Sequence, residues 1–310
     1  MPSRYRPRQP RVSSPWHIPL VLALILAAAA IAPICIRRAQ LAGIPSPLIV
    51  WLRLALTTAV ITPFAWRREA TALRQLRRRE LLLSLAAGFW LVCNLLLFFV
   101  ALEHTNVFVT TVLRRTTPLW TALPEVWLLG VVFPRRLWWG IAITLLGGAI
   151  VAASGGSAGE VVSLGALIAL LGATCEASYL FLGRFLSTRL TALAYSWLVF
   201  AWGALISSAV LWLLRIPLGG HSLAGYGWAL SVVVIGQLIG HLAINWSVGR
   251  LHATTLSLVM QLSVVLSGLL AWLWLAELPL PGEALGSLVV LVGVALATLR
   301  RPLRRPLRAS

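Results

Sequence analysis

Charge is what this sequence of 310 residues has least of: 11% of it is charged, against roughly 25% in an ordinary soluble domain. Lysine is absent, so all 26 basic residues are arginine, and acidic residues number only eight. Cysteine is scarce too. Cys35, Cys93 and Cys175 lie far apart inside apolar runs, with no CxxC and no Cys/His cluster, so they read as small buried hydrophobes. No metal site is expected. There is no GxxxxGK[ST] phosphate loop, which excludes ATP-driven work by this chain. HExxH and paired Asp-rich motifs are missing, and no serine has a positioned histidine to activate it. The chain is therefore read as a non-enzyme that needs no cofactor.

What is present in excess is apolar surface. Hydrophobic residues make up 59% of the chain, and the mean hydropathy is +0.90. Such a sequence has too little polar surface to cover a globule, so its solvent must be lipid. That excludes a soluble enzyme, a disordered scaffold and a secreted disulfide framework. The net charge of +18 suggests nucleic acid at first sight. Its distribution argues otherwise, because the arginines cluster between apolar runs and at the two ends. Arg4, Arg6, Arg8 and Arg11 open the chain; Arg300, Arg301, Arg304, Arg305 and Arg308 close it. Tails of this kind lie against anionic headgroups on the cytoplasmic face.

A transmembrane helix needs ~20 mostly apolar residues. Ten such runs occur, at about 17–36, 47–66, 81–102, 106–130, 137–153, 161–183, 191–214, 225–248, 252–275 and 282–299. The first resembles a signal peptide locally, but nine further spans follow it, so it reads as an uncleaved helix. With the N-terminus inside, twenty arginines fall in the two tails and four inner loops. Three fall outside (Arg37, Arg38, Arg215) and three lie within spans (Arg53, Arg114, Arg115). That bias places both termini in the cytoplasm. Several of the fifteen tryptophans, such as Trp16, Trp66, Trp138 and Trp139, sit at span ends, where indole rings favour the interface.

Sliding the chain by 147 residues lays spans one to five over spans six to ten. Arg37 meets Arg184, Arg68 meets Arg215, Ser84 meets Ser231 and Pro134 meets Pro281. A one-residue slip brings Gly140 onto Gly286 and Gly147 onto Gly293. Because five is odd, the second copy enters the membrane from the opposite side. The fold class expected is thus an all-α polytopic membrane protein of ten helices, an inverted-topology 5+5 repeat. Its parts are a basic N-tail (1–16), two five-helix repeats (17–153 and 161–299) and a basic C-tail (300–310). That architecture lets two halves rock about a site near the midplane.

The residues also resemble a known family. Arg38, Pro47 and Trp51-Leu52-Arg53 come first, followed by Ala101-Leu102-Glu103-His104-Thr105, Pro118-Leu119, and Gly140 with Gly147. The second half adds Ala177-Ser178-Tyr179 with Arg184, Leu275-Ala276-Glu277, and Gly286 with Gly293. Their order and spacing resemble the EamA-like branch of the drug/metabolite transporter superfamily. The resemblance implies a secondary transporter of amino acids or related solutes. Four features depart from the pattern: the proline of span nine is replaced near Ser263, an acidic residue by Val131-Val132, a common tryptophan by Glu176, and Arg114-Arg115 interrupts span four.

Charges inside lipid are expensive, at least ~2.5–3.5 kcal/mol at a helix centre, so they usually face a cavity or a partner. Arg114 and Arg115 lie ~12–15 Å below the outer end of span four. Either one projects into a central cavity to hold a carboxylate or phosphate, or they pair with Glu176 or Glu103. Glu176 and His241 share a depth of ~24 Å. They read as a proton-coupling pair or as a structural bond, with an ion pair between Glu176 and an arginine as the alternative. Asn245 lies one turn below His241. In the repeat, Asn94 overlays His241 and Gln261 overlays Arg114. Pro118 and Pro124 free carbonyls and bend span four. The expected substrate-binding set is Arg114, Arg115, Asn94, Trp120, His241, Asn245 and Gln261.

These features predict a transporter of small polar metabolites in a bacterial-type inner membrane, working by alternating access and exporting its solute. A carrier or exchanger of anionic or phosphorylated substrates is the alternative, as is a non-transporting membrane component. The expected partners are a small-molecule substrate and anionic headgroups. Nucleic acid is not expected, and no second subunit is required.

Overall fold

The computed structural model describes residues 17–129, 135–154, 159–186, 189–241, 243 and 253–298. Between short turns the described chain is helical, with no strand among the described residues. The first repeat contains α1 (His17–Leu41), α2 (Ser46–Arg74) and α3 (Arg78–His104). Its fourth span is two pieces, α4 (Val107–Arg114) and α5 (Thr117–Leu129), and α6 (Arg135–Ala153) is the fifth. The second repeat contains α7 (Gly159–Leu186) and α8 (Ala192–Leu213). Next come α9 (Leu223–Ser231), running on as a π-helix (Val232–His241), then α10 (Ala253–Leu275) and α11 (Pro281–Thr298). Six helices among the described residues are long and apolar enough to cross a membrane.

Helix starts follow local chemistry. The side chains of Asn106, Thr191 and Ser222 each accept a backbone N–H from the first turn of α4, α8 and α9. Glu80 accepts from the Arg77 N–H at 2.9 Å to open α3. Such caps satisfy donors that have no partner inside the helix.

The span expected over 106–130 differs most from a plain helix. Pro118 has no N–H, so the Arg114 carbonyl four residues back loses its helical donor. Thr117 Oγ1 donates to that carbonyl at 2.7 Å instead. The helix therefore stops at Arg114 and restarts at Thr117, leaving both arginines at the break. The span expected over 225–248 is an α-helix only as far as Ser231, where it widens into the π-helix. Nothing in its apolar periodicity predicts the change.

Glycine sets the closest helix contacts. Against α11, a Cβ on Gly147 would stand 2.6 Å from the Val290 nitrogen, and one on Gly140 would stand 2.7 Å from the Gly293 carbonyl oxygen. Gly286 and Gly293 meet α6 in the same way. Four glycines thus join the last helices of the two repeats backbone to backbone, as small residues do in lipid. On the other side of the molecule, α2 and α8 run antiparallel. Trp51 Nε1 donates to Ser208 Oγ at 2.7 Å, and Trp197 Nε1 donates to Thr62 Oγ1 at 2.9 Å. The largest apolar core lies between α1, α2, α3 and α8, with Ile34, Leu48, Phe99 and Val199 fully buried.

Candidate functional site

Between the repeats lies a cavity of about 460 Å³, within the range typical of small-molecule sites. Its walls come from α1, α2, α3, α4, α7, α8, the π-helix and α10. It extends from Ile36 and Thr111, near the far end of the bundle, to Ala192 and Ser196 in the first turns of α8. Ala192, at the end of the bundle where α1 begins, is exposed. Gly236 and Gly240 of the π-helix pack against Ala32 and Ala28 of α1, forming a smooth wall.

The broken span places two cations here. Arg114 grips Glu176 of α7 with two bonds, Nε to Oε2 at 3.0 Å and Nη2 to Oε1 at 3.2 Å. Thr117 Oγ1 also lies 3.1 Å from Glu176 Oε2, and the guanidinium lies 4.5 Å above the Phe98 ring. Arg115 reaches α10, where it donates to Ser263 Oγ at 2.8 Å and contacts Met260 Sδ at 3.5 Å. Its Nε–H is buried without an acceptor.

A third arginine belongs to the site. Arg53 of α2 is 7% exposed, lines the cavity and donates from Nε to Gln237 Oε1 at 2.9 Å. It lies within electrostatic reach of Arg114 and Glu176. The sequence reading places Arg53 within span two and gives it no partner. No periodicity predicts the π-helix turn that brings Gln237 to Arg53. The clue to Arg53 was energetic, since an arginine inside a span requires a cavity or a counter-charge.

Of the remaining candidates, Asn94 lines the cavity at 1% exposure, with its Oδ1 unpartnered. Trp120 does not line it; its indole N–H donates to Thr116 Oγ1 at 2.9 Å. His241 ends the π-helix and Gln261 lies in α10, but their side chains fall outside the description. Asn245 lies outside the described residues, as does the His241 side chain expected to meet Glu176. Glu103, the other expected partner for the arginines, instead accepts from Ser46 Oγ. Among the described lining residues the charged groups are therefore three guanidiniums and one carboxylate.

The far end is closed by polar contacts. Arg37 Nε meets Glu277 Oε1 at 2.9 Å, while Glu277 Oε2 accepts the Val107 N–H at 3.1 Å. Asn106 Nδ2 and the Leu280 N–H both donate to Glu283 Oε2 at 2.8 Å. Ala276, at φ 55°, turns the chain after α10 in the left-handed region and brings Glu277 back over α1 and α4.

The sequence signature of the EamA-like transporter family matches residues 17–153 and again 163–299. A crystal structure of a protein with 18% sequence identity superposes with a TM-score of 0.59, covering 90% of this chain and 96% of its own. At that identity the likeness concerns the fold alone. No curated protein matches the sequence. With both halves of its ten-span architecture matched in turn, this multi-pass membrane protein belongs to the EamA-like transporter family.

Proposed function

We propose that the chain is a secondary carrier of small organic anions, exporting solutes that bear carboxylate or phosphate groups by alternating access. One observation carries this reading: the described lining of the cavity between the repeats holds Arg53, Arg114 and Arg115 against one carboxylate, that of Glu176. Guanidinium is planar and forked, suited to grip carboxylate or phosphate by two parallel bonds. The bond between Arg114 and Glu176 already has that form. Glu176 thereby marks the position a substrate acid group would take. The unpartnered Arg115 Nε–H offers a second donor, and the Asn94 Oδ1 offers an acceptor for a hydroxyl or ammonium on the same solute.

The arginine bias orients the carrier with both termini in the cytoplasm of an inner membrane. The cavity lining runs towards exposed Ala192 at that end, which favours loading from the cytoplasm and hence export. Amino acids remain within reach of this chemistry through their carboxylate; anions match the charge better.

The test is thermal stability of the detergent-purified protein against anionic, zwitterionic and cationic metabolites, with Arg114→Ala and Arg115→Ala alongside. A ligand at a hundredfold excess over Kd stabilises by ~2.7 kcal/mol. The expected result is a shift with dicarboxylates or phosphate esters that disappears in either variant. A shift with amino acids alone, surviving both substitutions, would return the arginines to a structural role.

A further inference from the structure

A carrier must close one end before it opens the other, so its cavity passes through a state cut off from bulk water. The charge enclosed at that moment determines whether the passage is possible. Here the described lining residues hold three guanidiniums and one carboxylate. Glu176 compensates Arg114. The described contacts of the other two are neutral: Arg53 donates to the amide oxygen of Gln237, and Arg115 to the Ser263 hydroxyl and the Met260 sulfur. Neutral acceptors satisfy donors without cancelling charge. A guanidinium also keeps its proton at neutral pH, so the cavity cannot discharge itself.

While the cavity is open to water, the excess of two positive charges is hydrated. Once occluded and empty, it would hold two buried ions without counter-ions among the described lining residues, among the costliest arrangements in a protein interior. A small dianion in the same space removes the cost of both. We infer that the carrier reorients only with an anion aboard in each direction, making it an obligate exchanger in which export of one dianion is tied to uptake of another. This inference rests on the anion reading of the same cavity and adds its mode of turnover.

Proteoliposomes of the full chain, loaded with radiolabelled succinate, provide the experiment, with chloride replaced throughout by a bulky impermeant buffer anion. Efflux into medium containing succinate is expected to exceed efflux into succinate-free medium by at least about tenfold, the penalty falling on the empty return. Equal efflux into both media would overturn exchange while leaving anion transport intact. If neither succinate nor a phosphate ester shows counterflow, the anion reading fails and exchange falls with it. Arg53→Gln and Arg115→Gln each remove one of the two excess charges. In both, the ratio of exchange to net efflux should fall towards one, even where the absolute rate is lower. A purely structural role for these arginines would lower both fluxes together and leave the ratio unchanged, which would also overturn the inference.

Discussion

Arg114 and Glu176 form the most consequential pair of residues in the molecule, and their bond can be separated from their function. Breaking a buried ion pair on one side leaves an uncompensated charge and costs ~3–5 kcal/mol in a dry interior. Both side chains are about a quarter exposed to the cavity, so water moderates the effect to ~1–3 kcal/mol. Arg114→Gln and Glu176→Gln should each lower the melting temperature, and the double substitution should recover most of the loss. Ligand-induced stabilisation should stay absent in the double variant; its return would remove Arg114 from the binding site. The pairing was one of the alternatives open in the sequence, because charges within spans need a partner or a cavity, but depths counted along straight helices, ~12–15 Å for Arg114 and ~24 Å for Glu176, matched Glu176 to His241 instead. The third cation was not tied to the site in the same way. Arg53 lies on a span with no sequence cue to its neighbour, and Gln237 comes into position only through the π-helix.

Among the elements, α4 connects the closed end to the cavity. Its first residues are held by two carboxylates from the second repeat, Glu277 on the Val107 N–H and Glu283 on Asn106. Its last residue is Arg114. Carboxylates at a helix N-terminus are favourable twice, for the unpaired N–H groups and for the positive end of the dipole. Asn106 serves both sides, capping the Val109 N–H at 2.8 Å while holding Glu283, which is 3% exposed. Asn106→Ala should therefore cost more than the ~1 kcal/mol of an ordinary cap, because Glu283 loses a partner as well. Asn106→Asp keeps the cap but sets two carboxylates face to face, so it too should destabilise. Thermal unfolding of both variants checks this; an unchanged melting temperature in Asn106→Ala would mean the contact carries no load. The break at the other end of α4 was readable from Pro118, since a missing N–H frees a definite carbonyl. The contacts at its start were not, because they join residues some 170 positions apart in sequence.

At the scale of the whole molecule, the described polar contacts cross one end of the bundle and the cavity lining runs towards exposed Ala192 at the other. The glycine contact of α6 with α11 ties the repeats together at the back, and the far-end contacts around Glu277 and Glu283 tie them at one mouth. The cavity extends to Ala192 and Ser196 at the other mouth. The repeat with its five-span period made the two halves legible from sequence. It could not say which end is open, because both states of a rocking carrier satisfy the same hydrophobic pattern. That question has a direct measurement. In a chain whose Cys35, Cys93 and Cys175 are replaced, Ser196→Cys places a thiol at the open mouth and Thr111→Cys places one deep beside Arg114. An impermeant maleimide should label Ser196→Cys quickly and Thr111→Cys slowly from the side of the chain termini, and neither from the opposite side. Adding Arg37→Gln and Glu277→Gln together removes the ion pair across the closed mouth without leaving a lone charge. If that pair holds the far end shut, Thr111→Cys should become reactive from the opposite side while Ser196→Cys slows, since the same movement must narrow the first mouth. Reactivity from both sides at once would describe a leak through a loosened bundle, and the far-end contacts would then be structural bracing with no part in gating.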